Sequence, residues 1–127
     1  MSLPVRIFLV EDSLLFRERL IEHLRIPARV DFVGLAADED AAVSALEISS
    51  WDVAIIDMQL KNGSGMGVLK RLHLAGRRPG TTVIMLTNHD YHLYRAKARE
   101  LGADCFFSKH RDLQTVTGVL ERLVAAG

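Results

Sequence analysis

A chain of 127 residues, 49% hydrophobic and 25% charged, has the make-up of one ordinary globular domain, which excludes wholesale disorder. Sixteen basic residues balance sixteen acidic ones, so no overall charge draws it to nucleic acid or anionic lipid. Its single cysteine, Cys105, cannot form an internal disulfide; with no apolar h-region in Met1 to Arg6 and no run approaching 18 apolar residues, a cytoplasmic location without membrane contact is expected.

Short apolar runs alternate along the chain with segments of helical period. Val5 to Val10 reads as a strand that delivers Glu11 and Asp12 at its carboxyl end. Ser13 can cap a helix with Phe16, Leu20, Ile21 and Leu24 on one face, closed by Pro27. Val30 to Leu35 alternates more with polar residues and reads as an edge strand. Asp38 caps a second helix that turns Ala42, Ala45, Leu46 and Ser49 inward. Val53-Ala54-Ile55-Ile56-Asp57 has four apolar residues in a row, the pattern of a central parallel strand covered on both faces. It ends on a carboxylate and runs into the glycine-rich stretch Lys61-Asn62-Gly63-Ser64-Gly65.

A third helix, from about Gly65 to Leu74, presents Val68, Leu69 and Leu72, and Arg77-Arg78-Pro79-Gly80 forms a turn. Thr82 to Thr87 is a buried strand ending on a hydroxyl. Asp90 caps a fourth helix that runs to about Leu101, with Gly102 ending it. Asp104 to Ser108 is a short fifth strand followed by Lys109, and Asp112 caps a last helix bearing Leu113, Val116, Leu120 and Leu123. Five strands and five helices in strict alternation predict an α/β fold: a doubly wound, five-stranded parallel sheet with helices on both faces. An edge-like second strand and buried first, third and fourth strands favour the order 2-1-3-4-5.

With all strands pointing one way, Glu11, Asp12, Asp57, Thr87 and Lys109 meet at one rim, where open α/β sheets place their chemistry. Carboxylates about 4 Å apart repel by roughly 4 kcal/mol at an effective dielectric of 20. Three on one rim must raise a pKa or bind a cation. Oxygen ligands with no histidine or thiol beside them select a hard ion such as Mg²⁺ (or Mn²⁺). Beside such an ion Asp57 could attack a phosphoryl group, with Lys109 and Thr87 holding its remaining oxygens.

Phe8-Leu9-Val10-Glu11-Asp12, Ile55-Ile56-Asp57, Leu86-Thr87 and Phe107-Ser108-Lys109 together resemble the receiver domains of two-component response regulators, and the likeness runs over residues 5–125. The resemblance implies a single CheY-like, flavodoxin-like domain over 5–125, with flexible ends at 1–4 and 126–127. It implies Asp57 as phosphoacceptor from a sensor histidine kinase or a histidine phosphotransfer protein. Asp12, Asp57 and the backbone carbonyl of Gln59 would bind Mg²⁺, with Glu11 acting through a water. Thr87 and Phe106 correspond to the switch pair: the hydroxyl moves to the phosphoryl group and the aromatic ring turns inward behind it. The fourth helix, fifth strand and fifth helix would carry the signal to an effector, with dimerisation on phosphorylation a further implication. The domain would catalyse only its own phosphorylation and dephosphorylation, without touching nucleic acid.

Several departures matter. Glu11 is longer than the commoner aspartate, Lys61 stands where proline is usual, and Asn88 replaces a small residue. His110 follows Lys109 in place of a cis-proline, so a trans Lys109–His110 peptide is expected, a cis bond without proline costing about 3 kcal/mol. Gln59, Asn88 and His89 should overhang the site and tune water access. Tyr91, Tyr94, Arg95, Lys97 and Arg99 make the exposed side of the fourth helix aromatic and basic, which suits an interaction surface. Cys105 reads as core and Trp51 as packing at a helix–strand junction. The five histidines show no paired metal-ligand spacing; His89 and His92 are a remote zinc option. Competing functions are a flavin or nucleotide binder, an aspartyl phosphatase and a phosphorylation-independent scaffold. The first needs a hydroxyl- and glycine-rich loop after the first strand, where Glu11-Asp12 stands; the second wants an acid at position 59, where Gln59 stands.

Overall fold

In a computed structural model, residues 3–26, 29–88 and 92–126 are described, His92 by its backbone only. Strands and helices alternate as β1 (Val5–Val10), α1 (Leu14–Leu24), β2 (Val30–Ala36), α2 (Glu39–Ile48), β3 (Val53–Asp57), α3 (Gly65–Ala75), β4 (Thr82–Thr87), α4 (His92–Glu100), β5 (Cys105–Ser108) and α5 (Leu113–Ala126). The strands form one parallel sheet in the expected order, β2-β1-β3-β4-β5.

Side chains of β1, β3, β4 and β5 alternate between two cores. Phe8, Val10, Ala54, Ile56, Val83, Met85 and Phe106 face α2, α3 and α4, packing on Ala42, Val43, Leu46, Val68, Leu69, Leu72 and Ala98. Ile7, Leu9, Val53, Ile55, Ile84 and Leu86 face α1 and α5, against Leu20, Leu24, Val116 and Leu120. Covering on both sides is why β3 needs a continuous apolar run: Val53 to Ile56 are all at most 1% exposed. Each large side chain among them contributes roughly 1.5–3 kcal/mol by burial. Strand β2 lies at the edge, and its alternation of half-buried Val30, Phe32 and Gly34 with exposed Asp31, Val33 and Leu35 follows from that place. Its register with β1 shifts between Ile7 and Phe8, and the Phe8 ring fills the space that a side chain at Gly34 would need.

Ser13, Asp38 and Ser64 cap their helices by accepting from the backbone N–H groups of Phe16 (3.2 Å), Ala41 (2.8 Å) and Gly67 (3.0 Å). Gly102 ends α4 with φ at 95°, a conformation that favours glycine. Trp51 is buried, its Nε1–H donating to the Leu46 carbonyl (3.0 Å), and Cys105 is half-buried. The Lys109–His110 peptide is trans, as expected.

Four details differ from the sequence reading. Val43 is buried in α2, whereas Ser49 ends that helix half-buried, its N–H donating to the Ala45 carbonyl. Asp104 precedes β5, its carboxylate accepting from Val83 N–H (2.8 Å) and Arg77. Asp112 turns back to accept from Ser108 N–H (2.8 Å). Arg95 is half-buried and not on an open face, because its guanidinium lies over the Phe106 ring. The expected stop at Pro27, the Asp90 cap, His89 and Tyr91 lie outside the described residues, as does the side chain of His92.

Candidate functional site

Register and parity bring the rim residues together. Val10 pairs with Ile56, so Glu11 and Asp57, the next residues along β1 and β3, emerge side by side on the α1/α5 side of the sheet. Lys109 extends the same parity past Cys105 and Phe107 of β5, and its N–H donates to the Thr87 carbonyl (2.9 Å). Thr87 shares the opposite parity with Met85 and Phe106. The acid–lysine group and the Thr87/Phe106 pair are thus built on opposite faces of one rim.

The charges are deep. Glu11 is 1% exposed, Asp57 2% and Lys109 6%, while Asp12 is half-buried. Lys109 Nζ lies 2.7 Å from Glu11 Oε1 and 3.2 Å from Asp57 Oδ2, with the Phe16 ring centroid 4.1 Å away. The ammonium thus answers two carboxylates and rests on an aromatic face. Glu11 Oε2 accepts from Ser13 N–H (3.0 Å), and Arg17 donates to the Glu11 carbonyl (2.8 Å), which ties the turn after β1 to α1. Asp57 Oδ1 accepts from Gln59 N–H (3.2 Å).

One oxygen from each of Glu11, Asp12 and Asp57 falls within 4.8 Å of the other two. Burial, and then the Glu11 carboxylate, push the Asp57 carboxyl up to about 6, while Lys109 and the Gln59 N–H pull the other way. An acid in this position is short of positive charge. The donor set is all carboxylate and fits a hard divalent cation better than a soft one.

Thr87 is buried and lines a cleft of about 240 Å³ together with Met58, Gln59, Ser64, Met66 and Tyr94. Phe106 is buried, its ring 5.1 Å from the Arg95 guanidinium carbon. Gln59 and Asn88 are exposed, and Asn88 Nδ2 donates to Gln59 Oε1 (3.4 Å). Sequence reasoning missed Phe16 beneath Lys109, Arg17 and the close approach at Gly65, where a side chain would overlap the Asp57 carbonyl. Only the Gly65 contact had a signal, the glycine-rich stretch itself.

The family model of the response regulator receiver domain matches residues 7–121. The chain is 33% identical over 109 residues to the response regulator protein PmrA of Pseudomonas aeruginosa, covering 86% of this chain and 48% of that protein. It is 28% identical over 126 residues to a protein-glutamate methylesterase/protein-glutamine glutaminase of Koribacter versatilis, covering 96% of this chain and 34% of that protein. The chain therefore spans a third to a half of the length of these two relatives. In fold it is similar to the signal receiver domain of the response regulator NarL from Mycobacterium tuberculosis, with a TM-score of 0.84 at 24% identity, covering 99% of this chain and all of that one. The response regulator domain of Thermotoga maritima CheB aligns with a TM-score of 0.76 at 24% identity, over 97% and 95% of the two chains. Among the described residues no helix is long and apolar enough to cross a membrane. A match that runs from the first strand into the last helix settles the assignment: this chain belongs to the response regulator receiver domain family, the signalling module of two-component systems.

Proposed function

We propose that Asp57 accepts a phosphoryl group from a phosphohistidine and that the domain is a switch set by that modification. The observation that carries this reading is the buried Asp57 carboxylate, 3.2 Å from Lys109 and crowded by Glu11 and Asp12. Asp12, Asp57 and the Gln59 backbone carbonyl would hold Mg²⁺ or Mn²⁺, with Glu11 acting through a water. When bound, the ion would offset the carboxylate charge that otherwise repels a phosphate. An Asp57 oxygen would attack phosphorus, an O–P bond forming as the P–N bond breaks; the bond's electron pair stays on nitrogen, and the ring, whose other nitrogen already bears a proton, leaves as neutral imidazole. Lys109 and Thr87 hold the phosphoryl oxygens by charge and by hydrogen bond.

The added charge and acceptor oxygens would draw the Thr87 hydroxyl toward Asp57, with Phe106 filling in behind it. Partners follow from this reading: a sensor histidine kinase or histidine phosphotransfer protein on one side, and an effector or a second copy at the face of α4, β5 and α5 on the other. The domain, over residues 5–125, would work in the cytoplasm as a phosphoacceptor that acts on no separate substrate.

The test is a mass measurement. Incubation with Mg²⁺ and a small phosphodonor should add one phosphate to the wild type and none to Asp57→Asn. No gain in the wild type would leave a phosphorylation-independent binding scaffold as the reading.

A further inference from the structure

The loop from Met58 to Gly65 presents the backbone beside Asp57, and a side chain from another element grips it. Glu39, the first residue of α2, donates its own N–H to the Asn62 carbonyl (3.1 Å). Its Oε1 accepts from Ser64 N–H (3.1 Å), and its Oε2 lies 3.3 Å from Arg71 Nη1 on α3. One residue therefore holds both sides of Gly63, whose φ of 82° makes the bend between them. A Cβ at Gly63 or at Gly67 would overlap the Glu39 side chain, so two glycines make the space that this carboxylate occupies. The Glu39 side chain is 24% exposed, against 91% for its neighbour Asp40, which also meets Arg71 (2.7 Å).

The gripped segment is tied to the site. Ser64 bridges Gln59 across the loop, and Gly65 N–H donates to the Met58 carbonyl (2.9 Å). Gln59 N–H in turn donates to Asp57 Oδ1. The connection runs from Glu39 through Ser64 and Gln59 to the reacting carboxylate.

We propose that Glu39 is a positioning residue: by holding Asn62 and Ser64 it sets the Gln59 backbone at the acidic cluster and so sets the affinity of that cluster for a divalent cation. The inference rests on the phosphoacceptor reading above. Groups that orient metal-binding atoms from behind typically alter affinity by 10- to 100-fold. Here the action passes through a loop, which places the effect at the lower end.

The probe is Mg²⁺ alone, titrated calorimetrically, with the Gln59 amide resonance followed by NMR and the melting temperature recorded for each variant. Glu39→Ala should weaken Mg²⁺ binding about tenfold and move the Gln59 resonance before metal is added. Glu39→Gln keeps an acceptor for Ser64 N–H and should recover most of the affinity. Arg71→Ala breaks the exposed ion pair but leaves the loop bonds, so Mg²⁺ affinity should stay within about twofold. Gly67→Ala, which crowds the carboxylate from the helix side, carries the test if Glu39→Ala does not fold, and should also weaken binding. Unchanged Mg²⁺ affinity in Glu39→Ala or Gly67→Ala, with only a lower melting temperature, overturns the inference and spares the phosphoacceptor reading. Wild-type protein that takes up no Mg²⁺ overturns both.

Discussion

One strand has an aspartate at either end, and they are opposites. Asp52 leads into β3 at the amino rim and is matched by one arginine: Arg6 N–H and Nε donate to Oδ2 (2.8 and 3.1 Å), and Nη2 to Oδ1 (3.1 Å). That pair is only half-buried, and the hydrogen-bonded Arg6 guanidinium holds the Asp52 carboxyl below its usual range. Asp57 ends the same strand at the carboxyl rim, buried beside Glu11 with a lysine that both must share, and its carboxyl rises to about 6. A carboxylate satisfied on every side has little left to offer a ligand. One held short of positive charge gains by meeting a cation or losing its own charge, and that is the condition a phosphoacceptor requires.

The sharpest way to break this comparison is to remove the shared lysine. Lys109→Met leaves Glu11 and Asp57 buried without a cation, and should cost about 3 kcal/mol at pH 8 in urea unfolding. Undiminished stability would mean that Lys109 does not balance the pair. The next effect has the other sign. The folded protein binds the Asp57 proton more tightly than the unfolded chain does, so ionised Asp57 opposes folding as pH rises from about 3.8 to about 6. In the absence of divalent ions, Asp57→Asn should therefore stabilise by about 2 kcal/mol above pH 6, after allowance for solvent screening. The gain should close near pH 4; a gain independent of pH would reject the crowding of Asp57.

Asp52→Asn provides the mirror image on a smaller scale. Its folded carboxyl lies below the unfolded value of 3.8, so its contribution is present above that pH and is lost as pH falls below it. Melting temperatures should drop slightly at pH 7 and converge with the wild type in acid, and the proposed phosphate uptake at Asp57 should be unchanged. Smallest is the overhang. Asn88→Ala removes the contact to Gln59 and should open the site to water. Phosphate loss from Asp57 should then quicken by a factor of about 2 to 10, up to about 1.4 kcal/mol of barrier. An unchanged rate would leave Asn88 outside the control of hydrolysis.

Much of the fold was legible because each inner strand is covered on both faces and so carries an unbroken apolar run, as Val53 to Ile56 does. Glu11, Asp12, Asp57, Thr87 and Lys109 were legible for a related reason: parallel strands end at one rim, so the residues at or just past each carboxyl end are placed once the strands are found. Val43 and Arg95 were misjudged because helical period narrows a buried face only to within a residue. Glu39 carried no signal at all. Its role comes from α2 lying beside α3, which sets it against a loop 25 residues further on.

By itself the order of residues determined the alternating elements, the parallel sheet and the identity of the rim groups, since local hydrophobic period and strand ends are properties of short stretches. The tertiary structure alone decided that Glu11, Asp57 and Lys109 share one face while Thr87 and Phe106 share the other. It alone decided that Lys109 is divided between two acids on an aromatic ring, and that Glu39 holds the loop behind the site. Those facts depend on distances between residues far apart in the chain, which register and packing set and no local pattern records.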